Sequence, residues 1–169
     1  MTLILTGLSF VAKSQGDYKN AIGVRLATPD SYYNIFSFSY KDFVSNAGAI
    51  EINAGGGSKR SGGDDDRYHP FSLSVSGTYQ HHFDMAVSGL RWFVGGGAVM
   101  YNSFSGKNNY RGFGFGIYPT GGIDYKFNLI PLNLTADYRP TVFFAHPGNQ
   151  DTFHPYDFGI SARYVIGGK

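Results

Sequence analysis

From Tyr18 onward the chain alternates apolar and polar residues with a period of two, the pattern of strands that turn one face to each environment. Eight such segments can be read. Asn20 to Thr28 sets Ile22, Val24 and Leu26 against Ala21, Gly23, Arg25 and Ala27, and Ile35 to Phe43 sets Phe36, Phe38 and Tyr40 against Ser37, Ser39 and Lys41. Ala49 to Gly55 opposes Ile50 and Ile52 to Glu51 and Asn53. Phe71 to Phe83 alternates most regularly, with Phe71, Leu73, Val75 and Tyr79 facing away from Ser72, Ser74, Ser76, Thr78 and Gln80. Leu90 to Tyr101 carries Leu90, Trp92, Val94, Ala98 and Met100 on one side and Arg91, Gly95 and Gly97 on the other, with Phe93 and Val99 blurring the contrast. Gly112 to Phe127 alternates throughout, and Pro119 with Gly121-Gly122 predicts a bend inside it. Ile130 to Phe143 opposes Leu132, Leu134, Ala136, Tyr138 and Val142 to Asn133, Thr135, Asp137, Arg139 and Thr141. Tyr156 to Ile166 closes the series, with Gly159, Ser161 and Arg163 on its polar face. No segment has the periodicity of an amphipathic helix.

The connections alternate in length. Val44 to Gly48, Asp84 to Gly89 and Asn128-Leu129 are short, Pro29 to Asn34 is intermediate, and Ser58 to Pro70, Asn102 to Arg111 and Ala145 to Pro155 are long and polar. An even strand count with short turns on one rim and long loops on the other is the pattern of a bacterial outer-membrane β-barrel. The fold expected is therefore all-β, a transmembrane antiparallel up-and-down barrel of eight strands. A soluble lipocalin-like barrel would turn its apolar rows inward and need water-compatible side chains outside, which eight faces this rich in Phe, Leu, Ile and Tyr do not supply.

Composition fits this reading. Aromatic residues make up 17% of the 169, charged residues only 15%, and the 24 glycines follow no collagen period. No apolar run reaches the roughly 18 residues of a transmembrane helix, whereas barrel strands need only about 9–11, with one face polar. A mean hydropathy of −0.20 is compatible with that. The absence of Cys removes disulfides, thiolate chemistry and Cys-ligated zinc. A net charge of +2 without any run of five basic residues argues against a nucleic-acid partner. Leu3 to Ala12 reads as the apolar region of a signal peptide, with the small Ala12 and Ser14 at the cleavage-site positions and no basic residue before it. Residues 1–15 are thus expected to be a signal peptide, truncated at its start, and 16–169 the barrel domain; a buried first strand is the alternative.

Five stretches, DYKNAIGVRLA, SFSYKDFVSNAGAIEI, SGLRWFVGGGAVM, GGIDYKFNLIPLNLTADYRPTV and FGISARYVI, resemble the small eight-stranded outer-membrane β-barrel proteins of Bacteroidota. The most specific are the run from Trp92 to Gly97 and the pair Ile130 to Leu134 and Asp137 to Pro140. The resemblance implies a place in the cell outer membrane and partners to match: outer-membrane lipids and lipopolysaccharide, the insertion machinery, and a protein reached through the extracellular loops. The chain ends Ile166-Gly167-Gly168-Lys169 instead of on an aromatic residue, which would leave Tyr164 or Ile166 as the residue read on insertion.

Charged residues gather on the polar faces: Arg25, Lys41, Glu51, Arg91, Asp124, Lys126, Asp137, Arg139 and Arg163 all oppose the apolar rows and are assigned to the lumen. In an interior just wide enough for side chains they are expected to pair and plug it. The alternative is an anion-conducting lumen with a surplus of three positive charges. Tyr18, Tyr40, Tyr79, Trp92, Tyr125, Tyr138 and Tyr164, mostly toward strand ends, are assigned to interfacial aromatic girdles. His69 beside Asp64-Asp65-Asp66, with His146 and His154, lacks the alternating ligands of a cation loop, so no metal or other cofactor is expected. His81 and His82 point to opposite faces and are given an interfacial role. A Ser-His-carboxylate set has no compelling spacing, so a lipid-modifying enzyme remains the second reading. Gly55 to Gly57 and Gly95 to Gly97 are read as relief of crowding in the wall, not as phosphate cradles, and the Asn133-Leu134-Thr135 sequon lies within a strand. The expected role is structural or interactive.

Overall fold

A computed structural model of the chain describes residues 18–29, 31, 33–58, 71–104, 111–148 and 151–168. The leader-like stretch at residues 3–12, the Asp64-Asp65-Asp66 loop and His69 lie outside the described residues. The strands are β1 (Tyr18–Ala27), β2 (Phe36–Phe43), β3 (Gly48–Ser58), β4 (Phe71–Asp84), β5 (Leu90–Phe104), β6 (Gly112–Lys126), β7 (Leu132–Tyr138), β8 (Thr141–Ala145), β9 (Phe153–His154) and β10 (Phe158–Gly168).

Each of β1 to β6 pairs antiparallel with the next, β6 pairs with β7, β7 with β10, and β10 with β1, so the sheet closes on itself. Closure removes every long sheet edge. β7 and β8 are two halves of one wall, both paired to β6, and β9 is a two-residue extension of β8. The molecule is an all-β, closed, eight-stranded antiparallel barrel with up-and-down connectivity.

The seventh wall is divided where the sequence alternation predicts one continuous strand, and the cause is proline. Gly121 pairs with Tyr138 and Ile117 with Val142, which places Pro119 and Pro140 at facing register positions between the two paired stretches. Neither has an N–H to donate, so the ladder gap falls where two donors are already missing. The bend expected at Pro119 does not interrupt β6, which runs unbroken from Gly112 to Lys126 and changes partner there instead.

The tight connections 44–47, 85–89 and 127–131 share one rim with the start of β1 and the end of β10. In the first, Val44 and Ser45 donate their N–H groups to the Gly48 carbonyl, and the Gly48 N–H donates to Ser45 Oγ at 2.8 Å. In the second, Gly89 takes φ +82°, a conformation that favours glycine.

The distribution of polarity is inverted relative to a water-soluble protein. Outward-facing Ile22, Phe38, Ile52, Leu73, Val75, Met100, Phe113, Ile123 and Ile160 are exposed, while Ser37, Ser39, Ser72, Thr78, Gln80, Thr135 and Ser161 are buried inside. The period of two is what separates the rows.

Candidate functional site

The lumen is filled in three layers. In the central one, two bridges cross the full diameter. Arg139 Nη2 donates to Glu51 Oε1 at 2.7 Å, from the seventh wall to β3 opposite, and Lys41 Nζ on β2 donates to Asp124 Oδ2 on β6 at 2.6 Å. Arg163 Nη2 lies 2.9 Å from Glu51 Oε2, while its Nε donates to Ser39 Oγ and its Nη1 to Thr135 Oγ1, both at 2.8 Å. Gln80 and Asn53 donate their amides to Glu51 at 3.0 Å each, and Asn133 donates to Asp124 Oδ1 at 2.6 Å. Arg25 contacts both oxygens of Asp137 through Nε, and its Nη2 reaches Asp137 Oδ1 at 2.6 Å and Asp157 Oδ1 at 3.1 Å. Arg139 Nε donates to Asp137 Oδ1 at 2.7 Å and so joins the Arg25–Asp137 pair to the Arg139–Glu51 bridge. Such charge-assisted bonds are the strong ones, and here they satisfy groups that would be very unfavourable if left unpaired.

Toward the long-loop rim lies a cap of the aromatic Tyr33, Tyr101, Tyr118 and Phe143 clustered with Val99. Tyr33 descends from the β1–β2 connection, stacks on Tyr101 at 5.5 Å and meets Phe143 edge-on at 5.4 Å. Its hydroxyl reaches Thr141 Oγ1 at 3.1 Å and donates to Asp157 Oδ2 at 3.2 Å. Toward the short-turn rim, Tyr18, Phe43, His82 and Phe93 form a floor, with Lys41 Nζ 5.2 Å above the Phe93 ring. The Arg25 guanidinium lies where a side chain at residue 159 would stand, so any residue larger than Gly159 would have to displace it from its pairs with Asp137 and Asp157.

Seven of the nine charged residues assigned to the lumen by their face are buried in this network: Arg25, Lys41, Glu51, Asp124, Asp137, Arg139 and Arg163. Arg91 and Lys126 are not in its centre. Both sit at the short-turn rim, where Arg91 Nε pairs with the exposed Asp84 at 2.7 Å and Lys126 Nζ donates to the Phe127 and Ile130 carbonyls. The expected surplus of three positive charges is corrected accordingly. With Asp157 included, the buried cations Arg25, Lys41, Arg139 and Arg163 face the buried carboxylates Glu51, Asp124, Asp137 and Asp157, and the described network is neutral. Asp157 was findable, since it lies two residues before Gly159 on the same face of the alternation.

Among the aromatic residues expected at the interfaces, Tyr40, Tyr79, Trp92, Tyr138 and Tyr164 are outward and exposed and Tyr125 is half-buried. Trp92 stacks on Phe83 at 4.3 Å and Tyr138 on Phe158 at 4.6 Å. Tyr18 is the exception. A register shift beside Asn20 reverses the alternation at the start of β1, so Tyr18 turns inward and its hydroxyl donates to Asp124 Oδ2 at 3.4 Å. His81 and His82 do face opposite ways, but only His81 is outside; His82 is a lumen residue 3.8 Å from Asp124. Among the described residues, no three His, Asp or Glu side chains converge as metal ligands.

No protein-family model matches the chain, and no curated protein does. Among solved structures it is similar to the N-terminal β-barrel domain of Pseudomonas aeruginosa OprF, with a TM-score of 0.55 and 16% identity over 89% of this chain and 98% of that one. At that identity the likeness is one of fold, and the fold is that of an outer-membrane protein's barrel domain.

Proposed function

We propose that the protein is an integral barrel of the cell outer membrane, with a structural or interactive role, a plugged lumen and its long loops outside the cell. The observation that carries this reading is the inversion of polarity. A continuous exposed outer surface of Phe, Leu, Ile, Val and Tyr surrounds a buried, charge-balanced polar interior, an arrangement stable only where the outside is apolar. The fold match supports the same place. Membership of the Bacteroidota barrels is part of this proposal and rests on the sequence stretches that resemble them.

On this reading the chain neither conducts nor catalyses. The central layer crosses the whole diameter, aromatic rings cover it above and below, and a neutral network offers no preference for anions. His82 beside Asp124 is enclosed by Phe43 and Phe93, away from any substrate. Partners would be lipids, lipopolysaccharide, the insertion machinery and a protein met by the loops. The test is density separation of inner and outer membranes followed by crosslinking in intact cells. The protein is expected in the outer-membrane fraction with crosslinks to envelope neighbours; recovery in the soluble fraction would contradict the proposal.

A further inference from the structure

A groove of about 560 Å³ runs along the outer face of β3 to β6 near the long-loop rim, flanked by Leu73, Val75, Met100 and Phe113. It is shallow and open along its length to the surroundings of the barrel. Part of its room comes from the small Ala54 in its lining.

Polarity along β5 is graded. Met100 stands between Val75 and Phe115, at the end of the groove nearer the barrel middle. One outward step nearer the rim, Asn102 stands between Leu73 and Phe113; its side chain is exposed on this apolar surface and has no hydrogen-bond partner among the described residues. One step further, Phe104 pairs with Phe71, and on the neighbouring strand the exposed Arg111 immediately precedes Gly112, whose partner is Ser103. Guanidinium, carboxamide and apolar slot thus follow one another from rim to barrel middle. An acylated glycerol phosphate carries its groups in the same sequence: an anion, then ester carbonyls that accept hydrogen bonds, then a hydrocarbon chain.

We infer that this groove binds one acyl chain of an anionic, phosphate-bearing membrane lipid, with Asn102 donating to an ester carbonyl and Arg111 meeting the phosphate. The inference rests on the membrane reading above and adds a specific lipid site to it. An exposed amide and a cation at successive levels are unfavourable against bulk hydrocarbon and favourable against this ligand.

The test uses the folded full chain in phosphatidylcholine vesicles containing a small fraction of lipid with brominated acyl chains, either phosphatidylglycerol or phosphatidylcholine. Bromine quenches nearby tryptophan. The native Trp92 reports insertion, and a Trp92→Phe, Phe113→Trp variant reports the groove. Brominated phosphatidylglycerol is expected to occupy the groove roughly fivefold more strongly than brominated phosphatidylcholine, the effect of about one Arg contact at a membrane surface. The preference should vanish in Arg111→Gln and in Ala54→Phe, which fills the groove, and should be absent at Trp92. Equal quenching by both headgroups, or a preference that survives Arg111→Gln, overturns the lipid site. A groove reporter shielded from both lipids while Trp92 is quenched overturns it in favour of a second copy or another protein seated there. If Trp92 itself is quenched by neither lipid, the membrane reading fails and the site fails with it.

Discussion

Glu51 and Arg139, on diametrically opposite walls of the barrel, meet at 2.7 Å across its centre. Glu51 also lies 2.9 Å from Arg163 and 3.9 Å from Lys41, so one carboxylate holds three cations in a space closed to bulk water. Glu51→Gln keeps the shape and removes the charge. It should destabilise the barrel by about 3–5 kcal/mol, the usual result of breaking a buried pair from one side. Combining it with Arg139→Met should recover part of the loss. Denaturant titration of the four proteins in a double-mutant cycle reads the coupling, and an additive cycle would show that the pair does not act as one unit.

Two glycines give a second, local prediction. A methyl group at Gly159 would fall within the Arg25 guanidinium, whereas nothing lies within 4 Å of one at Gly77. Gly159→Ala should therefore lower stability by about 1–3 kcal/mol through overpacking, and Gly77→Ala should change it by less than about 0.5 kcal/mol. The reverse order would mean that Arg25 does not lie against β10.

Most of the fold and much of the lumen were legible because a strand has one rule: every second residue shares a face. Ser72 through Gln80 follow it without exception, and so do Arg25, Lys41, Glu51, Asp137 and Arg163. Failures arise where the rule is broken or where facing is mistaken for depth. Tyr18 has the parity of the outer row but lies beyond a register shift that a linear reading does not contain. Arg91 and Lys126 have the inward parity but stand at the rim, because parity says nothing about height along the barrel axis. The split at Pro140 needed the partner strand, since its significance lies in facing Pro119.

Orientation follows from the two rims. Asp151 belongs to the connection between β8 and β10, and Leu129, 98% exposed, caps the tight β6–β7 turn at the other end. A membrane-impermeant thiol reagent added to intact cells should label Asp151→Cys and should reach Leu129→Cys only after the outer membrane is permeabilised. Labelling in the opposite order would invert the topology.

The filled lumen predicts electrical silence. Purified protein in planar bilayers should show no steady conductance, because Lys41–Asp124 and Arg139–Glu51 span the diameter and the rings of Tyr33, Tyr101 and Phe143 cover them. Reproducible anion-selective steps would contradict both the plug and its charge balance.

The central claim is that the outer face meets lipid, and one substitution tests it most directly. Val75 points outward in mid-strand on β4 and is 49% exposed. If that surface faced water, Val75→Arg would be neutral or favourable to stability. Against hydrocarbon it should cost about 2–4 kcal/mol near the bilayer midplane. Reversible folding into lipid vesicles, followed by denaturant titration, is expected to show a loss of that size. A Val75→Arg variant as stable as the parent protein would contradict the account.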